Sequence, residues 1–262
     1  MIRHPLALRL DPIRPAREQI HEAARLGARG VVLDAIGDLA PQRLSETGRR
    51  EIRHVLKTVQ LALVAIALPT RRPFDTTDQL DERIRRAEGA FTMAYELGTS
   101  IVLARAGAVP PEDEPARREV FSSALSDLGN RAEHRGVRLA LETGSEPAET
   151  LRAFLESIKL PGLAASIDPA TSLQAGADPV RSVRELAEWT VHAYANNPTR
   201  SSRPAAPNPR GPGFPPGALD WEEYLGALEE IGYQGFLTIW PAPDRPVAAE
   251  YGTISSYLEQ LG

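Results

Sequence analysis

The sequence predicts an α/β fold, a single (β/α)8 barrel with a parallel eight-stranded barrel inside and helices outside. Short apolar or β-branched runs alternate with longer segments of helical period, which is typical of βα units around a parallel sheet. Eight such runs can be counted, and eight repeats in 262 residues match the size of a closed barrel. A doubly wound open sheet is the alternative, but no run is followed by the Gly-x-Gly-x-x-Gly turn of a dinucleotide site.

The strands are predicted from these apolar runs, and the segments between them read as helices. The first helix opens at Pro15, a good first-turn residue, and ends at Gly27. The third carries apolar residues at spacings of three and four from Leu80 and stops at Gly98. The predicted strands lie near residues 6–10, 30–33, 61–68, 101–104, 137–141, 163–167, 190–195 and 236–239.

The last part of the chain holds the clearest helix start and an unusual loop. Asp220 with Glu223 three residues on forms a capping-box pattern, and Gly232 ends that helix. The preceding segment, 198–217, contains seven prolines and is predicted to be a loop after strand seven. Its position over the barrel mouth suits a lid, and a solvated surface excursion is the alternative. We expect one domain over 1–262 that includes this loop.

Composition excludes several classes of function. The net charge of -5 comes without a basic stripe, so no nucleic-acid partner is expected. The sequence has no cysteine, which excludes disulfides, thiolate catalysis and Cys-ligated metals. The first residues lack a signal-peptide apolar core, and no run approaches the roughly 20 apolar residues of a membrane span. A cytoplasmic protein without a membrane partner is expected, and a homo-oligomer is left open.

Two carboxylates are the best candidates for chemistry. Glu142 and Asp168 each end an apolar run, so both are predicted to point into the barrel mouth. A metal site or an acid/base pair would use such groups, whereas buried ion pairs with arginine are the structural alternative. An arginine-rich mouth would also suit an anionic ligand such as a sugar phosphate. The arginines that can be placed near this rim are Arg9, Arg71, Arg72, Arg105 and Arg200.

Several segments together resemble the xylose isomerase-like TIM-barrel family of sugar phosphate isomerases and epimerases. Residues 213–240 resemble its closing segment, with Asp-aromatic, a helix, Gly-Tyr-x-Gly and a final strand. Residues 24–34 resemble its first helix and second strand, with Asp34 where Glu is usual. Residues 139–142 and 166–168 resemble strands five and six, so the resemblance covers nearly the whole chain.

The resemblance implies a divalent cation, Mn²⁺ or Mg²⁺, held by Glu, Asp, His and Glu from strands five to eight. In this sequence Glu142 and Asp168 occupy the first two places, but Tyr194 and Trp240 fall on the His and the final Glu. Thr171 stands where a substrate-binding His is usual. We therefore predict a degenerate metal site and leave open whether any cofactor binds.

Two functions follow, both with a small carbohydrate or sugar phosphate as ligand. In a diverged isomerase or epimerase, Glu142 would be the acid/base and Asp168 its partner or a weak metal ligand, with Arg200 on the substrate. In a non-catalytic barrel, Tyr194 and Trp240 would stack on the sugar ring. The remaining predicted ligand-binding residues are Asn197, Arg105 and His192.

Two of these expectations have alternatives. His192 lies two residues before Tyr194 on the same side of the strand, deeper in the barrel, where a hydrogen-bonded core histidine is the alternative. A double-displacement glycosidase also uses two carboxylates. Barrel glycosidases usually take them from strands four and seven, which here end in Arg105 and Asn197, so this idea is not favoured.

Overall fold

The computed structural model describes residues 4–143, 146–196, 219–241 and 246–261. Its eight strands form a closed barrel in the order β1 to β8, and β1 pairs with β8. Each pair is parallel, so all eight carboxyl ends meet at one end of the barrel, the barrel mouth. The strands are β1 (Leu6–Arg9), β2 (Gly30–Asp34), β3 (Ala62–Leu68), β4 (Ile101–Ala104), β5 (Arg138–Glu142), β6 (Leu163–Ile167), β7 (Thr190–Tyr194) and β8 (Leu237–Ile239).

The helices follow the strands and cover the outside of the barrel. Between β6 and β7 the chain forms two short helices, α6 and α7, instead of one. The described helices are α1 (Ala16–Arg25), α2 (Glu46–Thr58), α3 (Leu80–Leu97), α4 (Pro115–His134), α5 (Ala148–Ile158), α6 (Pro169–Gln174), α7 (Pro179–Glu185), α8 (Trp221–Glu230) and α9 (Val247–Leu261). A short 3₁₀ turn, Gly37–Leu39, lies between β2 and α2.

The (β/α)8 prediction is confirmed, and no predicted strand end differs from the structure by more than one residue. The signals at the helix ends are also found. Gly98 ends α3 with a φ of 91°, a left-handed conformation that favours glycine. Asp220 caps α8 by accepting a hydrogen bond from the Glu223 amide at 3.1 Å. Within the described residues, none of the helices combines the length and apolarity needed to cross a membrane.

Strand alternation divides the core into two layers. In β1, Leu6 and Leu8 pack with the helices, whereas Ala7 points into the barrel. Most fully buried interior positions hold small aliphatic residues, and Tyr194 is the largest fully buried side chain there. The bulk of the hydrophobic core therefore lies between the barrel and its helices, and the interior near the mouth is left for polar side chains.

Candidate functional site

A group of polar and aromatic side chains gathers at the barrel mouth because of strand alternation. Arg9, two residues after the interior Ala7, ends β1 on the inner side, and Glu142 ends β5 in the same way after Ala140. The carboxyl ends of parallel strands meet, so residues far apart in sequence become neighbours. We call this group the mouth cluster, and its members are Arg9, Asp34, Arg105, Glu142, Tyr194 and Trp240.

Arg9 is the centre of the mouth cluster. Its Nε donates to Asp34 Oδ1 at 2.9 Å, and its Nη2 donates to Oδ2 at 3.1 Å, which is a bidentate ion pair. Its Nη1 donates to the Tyr194 hydroxyl at 2.7 Å and to Glu142 Oε1 at 3.3 Å. The guanidinium carbon lies 3.7 Å from the centre of the Trp240 ring. The cation is thus hydrogen-bonded through each of its three nitrogens and is only 6% exposed.

Both oxygens of Glu142 already accept hydrogen bonds. Oε1 accepts from the Tyr194 hydroxyl at 2.7 Å as well as from Arg9, and Oε2 accepts from Arg105 Nε at 3.2 Å. Arg105 itself is about half exposed, with a side-chain exposure of 53%. Two guanidinium groups therefore face two carboxylates, those of Glu142 and Asp34, and the formal charges balance.

The buried environment sets the protonation states in the cluster. Burial works against the charge on Arg9, but Tyr194, Asp34 and Glu142 outweigh it and raise the pKa of the guanidinium. Burial and the nearby Glu142 carboxylate raise the pKa of Tyr194 well above its ordinary value. Tyr194 is therefore a neutral phenol at pH 7 that accepts from Arg9 and donates to Glu142.

Asp168 is part of a helix cap and is not hydrogen-bonded to the mouth cluster. Its Oδ1 accepts from the Ala170 amide at 3.1 Å, and its Oδ2 accepts from the Thr171 hydroxyl at 2.6 Å, so it caps α6. Burial raises the pKa of Asp168; the Thr171 hydroxyl opposes that rise, and the nearby Glu142 charge adds to it. Asp168 is thus electrostatically close to Glu142, while its carboxylate is engaged locally.

His192 lies deeper in the barrel, below Tyr194. Its Nδ1 is 2.8 Å from the Ser166 hydroxyl and its Nε2 is 2.8 Å from the Thr238 hydroxyl. The side chain is fully buried, and burial, with a contribution from the Arg9 charge, lowers its pKa to about 3. With both ring nitrogens engaged, His192 is a neutral core residue in this arrangement.

The mouth cluster does not fit a divalent cation. An ion at Glu142 would have to displace Tyr194 and two guanidinium groups, and the Arg9 charge would repel it. Asp34 and Asp168 also have both carboxylate oxygens engaged. Across the described ranges, no group of three or more His, Asp or Glu side chains is arranged to hold a metal.

Glu146 is a candidate that the sequence reasoning missed. It lies in the loop after β5, and burial raises its pKa to about 7, with a hydrogen bond from the Val109 backbone acting in the opposite direction. Its Oε2 is buried and has no hydrogen-bond partner among the described residues. The only sequence signal was its position four residues beyond Glu142 at the end of a barrel strand. A carboxyl that titrates near neutrality suits proton transfer.

Four of the predicted site residues belong to the mouth cluster, namely Glu142, Tyr194, Arg105 and Trp240, and the ring of His192 contacts Tyr194 from below. Asn196, next to them, accepts a hydrogen bond from the Trp240 amide at 2.8 Å. Asn197, Arg200 and the loop 198–217 lie outside the described residues, so their predicted roles stay predictions. Arg71 and Arg72 lie in a separate cleft after β3.

Comparison with known proteins identifies the family of the chain. The family model for the xylose isomerase-like TIM barrel matches residues 20–260. A xylose isomerase domain protein from Planctomyces limnophilus is 20% identical, with a TM-score of 0.81 over 98% of this chain and 95% of that one.

Two further solved structures share the fold. A xylose isomerase-like TIM barrel protein from Mycobacterium smegmatis in complex with magnesium is 19% identical, with a TM-score of 0.73 over 98% and 96% of the two chains. The 3-keto-D-glucoside 4-epimerase from E. coli is 15% identical, with a TM-score of 0.76 over 98% and 99%. No curated protein matched the sequence. The chain belongs to the xylose isomerase-like TIM-barrel family.

Proposed function

We propose that the barrel mouth binds a small carbohydrate-like ligand without a divalent cation at Glu142. The observation that carries this proposal is the guanidinium of Arg9, which lies between Asp34 and Glu142 and occupies their oxygens. In the family pattern, Glu142 would be a metal ligand. Here the side-chain cation of Arg9 neutralises the Glu142 carboxylate. The hydrogen-bonding groups that remain available at the mouth include the terminal nitrogens of Arg105, which are donors.

The remaining groups suit a sugar. Trp240 is partly exposed, and the guanidinium carbons of Arg9 and Arg105 lie over its ring at 3.7 and 5.6 Å from the ring centre. An aromatic surface stacks on the C–H face of a sugar ring, and charged donors bind its hydroxyls. Arg105 uses only Nε in its bond to Glu142, so its terminal nitrogens have no partner within the described ranges. The epimerase neighbour acts on a carbohydrate by its name, which supports the same ligand class.

A catalytic role is the second candidate, favoured by one contact. The Tyr194 hydroxyl donates to Glu142 at 2.7 Å, so a phenol and a carboxylate share a proton position at the mouth. Such a pair could take a proton from a sugar carbon or hydroxyl and return it, with Arg9 facing the negative charge that develops. This would be isomerisation or epimerisation without a metal.

Binding is tested by calorimetric titration with a panel of free and phosphorylated ketoses, with and without Mn²⁺ or Mg²⁺. We expect saturable binding that does not depend on the metal, and no stoichiometric metal in the purified protein. Trp240→Ala should abolish binding. The matched control is Trp189→Ala, since Trp189 is also partly buried but precedes β7 at the opposite end of the barrel.

The outcomes separate the two candidates. Glu142→Gln should leave binding by a non-catalytic barrel little changed, whereas in an isomerase it should stop product formation measured by chromatography of the ligand. Binding that appears only with metal, or equal affinity in the Trp240 and Trp189 variants, would overturn the proposal.

A further inference from the structure

A second polar site lies at the same end of the barrel, in a cleft after β3. The cleft has a volume of about 280 Å³ and lies between the loop that follows Leu68 and the first turns of α3. This volume is close to the lower end of the range for small-molecule pockets, about 300 Å³. Four of its lining residues are arginines, namely Arg71, Arg72, Arg83 and Arg86.

Half of this positive charge is left without an ion-pair partner. Arg72 pairs with Asp78, and Arg86 pairs with Glu82 at 3.0 Å. Arg71 has no hydrogen bond or ion pair with any residue that the structure describes. Arg83 hydrogen-bonds Thr76, a neutral residue. The chain as a whole has a net charge of -5, so a group of four arginines in one cleft is unusual for this protein.

Arg83 shows that the negative charges near the cleft do not balance all of its arginines. Its Nε is buried and has no hydrogen-bond partner among the described residues. Burial and the neighbouring positive charge of Arg72 lower its pKa, and Asp75 offsets this only in part. Arginine stays charged at neutral pH, so the free-energy cost of burying this unpaired charge remains until an anion is bound.

We infer that this cleft binds the phosphate group of a small phosphorylated ligand, with Arg71 and Arg83 as its principal contacts. A guanidinium matches the oxygens of phosphate in geometry and charge, and two unpaired guanidinium groups can bind it from two directions. Phosphate alone and a phosphorylated sugar share this chemistry. A sugar phosphate is the larger ligand, and the cleft has room beyond the anion.

The cleft also contacts the rim of the mouth cluster. Thr70 lines the cleft, and its hydroxyl donates a hydrogen bond to the carbonyl oxygen of Arg105. The side chain of Arg105 donates to Glu142. The anion site does not rest on the proposed carbohydrate site, because a phosphate group would be held by Arg71 in the loop after β3 and by Arg83 on α3. The hydrogen bond from Thr70 to Arg105 shows that the cleft lies next to the mouth cluster, at the same end of the barrel.

Inorganic phosphate is the first probe, measured by thermal midpoint and calorimetry at constant ionic strength, with chloride replacing phosphate. D-fructose 6-phosphate and D-fructose are then compared. The variants are Arg71→Gln and Arg83→Gln. The matched control is Arg85→Gln, which removes an exposed charge from the same helix at a position that pairs with Glu82 and does not line the cleft.

We expect saturable phosphate binding in the unaltered protein and in Arg85→Gln, and an affinity about tenfold lower or worse in the other two variants. Arg71→Gln breaks no hydrogen bond or ion pair among the described residues, so its result stands even if Arg83→Gln folds poorly. Fructose 6-phosphate should lose affinity with Arg71→Gln, and free fructose should not. Equal phosphate affinity in all variants, or stabilisation that follows ionic strength without saturation, would overturn the inference. Neither result bears on Trp240, so the carbohydrate site is tested separately.

Discussion

Replacing Arg9 by methionine tests the central feature of the barrel mouth. Methionine has a similar length and keeps the apolar contact with Trp240, but it removes the cation from two carboxylates. Glu142 keeps the hydrogen bonds from Tyr194 and Arg105, so Asp34 is the carboxylate left without its partner. The loss of one member of a buried ion pair costs about 3–5 kcal/mol, because the other charge stays buried and uncompensated.

For a chain of this size, each kcal/mol lowers the thermal midpoint by about 2–4 °C, so Arg9→Met should lower it by roughly 10 °C. Urea unfolding followed by circular dichroism gives the free energy directly. The control is Arg14→Met, because Arg14 pairs with Glu22 at 2.8 Å on the surface and such pairs contribute about 0–1 kcal/mol.

The double variant Arg9→Met/Asp34→Asn separates the charge effect from lost packing. Neutralising Asp34 removes the uncompensated charge, so the double variant should regain part of the stability that Arg9→Met loses. A loss below about 1 kcal/mol in Arg9→Met, or a double variant that is less stable than the single one, would refute the assignment of Arg9 as the cation that holds the mouth together.

Three further predictions concern protonation and hydrogen bonding. The pKa of Glu146 in the folded chain, about 7, lies above its ordinary value, so its burial costs stability as pH rises through the range of about 4.5 to 7. Glu146→Gln should therefore be more stable than the unaltered protein by up to about 3 kcal/mol at pH 8, with little difference at pH 4. The control is Glu112→Gln, at an exposed position in the loop before α4, which should have the same stability as the unaltered protein at both pH values. The His192 pKa of about 3 lies below its ordinary value, so between these two values the unfolded chain binds a proton that the folded chain excludes. The stability that neutral His192 contributes is therefore fully present above about pH 6.5 and is lost as the pH falls toward 3. Urea unfolding of the Glu146→Gln variant, in which the opposing effect of Glu146 is removed, should show that acid loss. A flat profile between pH 6.5 and 4 would contradict it. Tyr194→Phe removes the hydroxyl between a guanidinium and a carboxylate and should cost about 1–3 kcal/mol by thermal unfolding, while Tyr257→Phe, 45% exposed, should cost nothing measurable.

The fold followed from the sequence because each strand is a short apolar run between helices of clear period. The signals at Gly98 and Asp220 come from local backbone chemistry, so they can be read without knowing the tertiary structure. The meeting of Glu142, Tyr194 and Trp240 followed from the barrel alone, because the carboxyl ends of all strands lie at one end.

The pairing within the site could not be read in the same way. In the sequence, Arg9 was one of five arginines near the rim, and nothing distinguished it from Arg71 or Arg72. Its contact with Glu142 joins residues 133 positions apart, and it depends on how the two side chains cross the barrel. Glu146 was missed because burial in a loop leaves no periodic pattern.

Asp168 illustrates a competing local signal. The sequence Asp-Pro-Ala-Thr starting at Asp168 is a helix start, with an N-cap residue followed by Pro169 in the first turn. The carboxylate therefore bonds Ala170 and Thr171, although its strand-end position suggested a role at the mouth. Whether it also takes part in catalysis stays a prediction.

Because the positive charge between Asp34 and Glu142 belongs to a side chain, it does not have to be taken up from solution. A metal centre must be filled after folding, and its occupancy follows the concentration of free ion around the protein. The charge of Arg9 is part of the polypeptide, so every folded copy carries it in a ratio of one to one. Neither a change in ion availability nor a change in pH within the physiological range can remove it. Unlike a bound metal ion, this cation cannot dissociate or exchange, because it is covalently part of the Arg9 side chain.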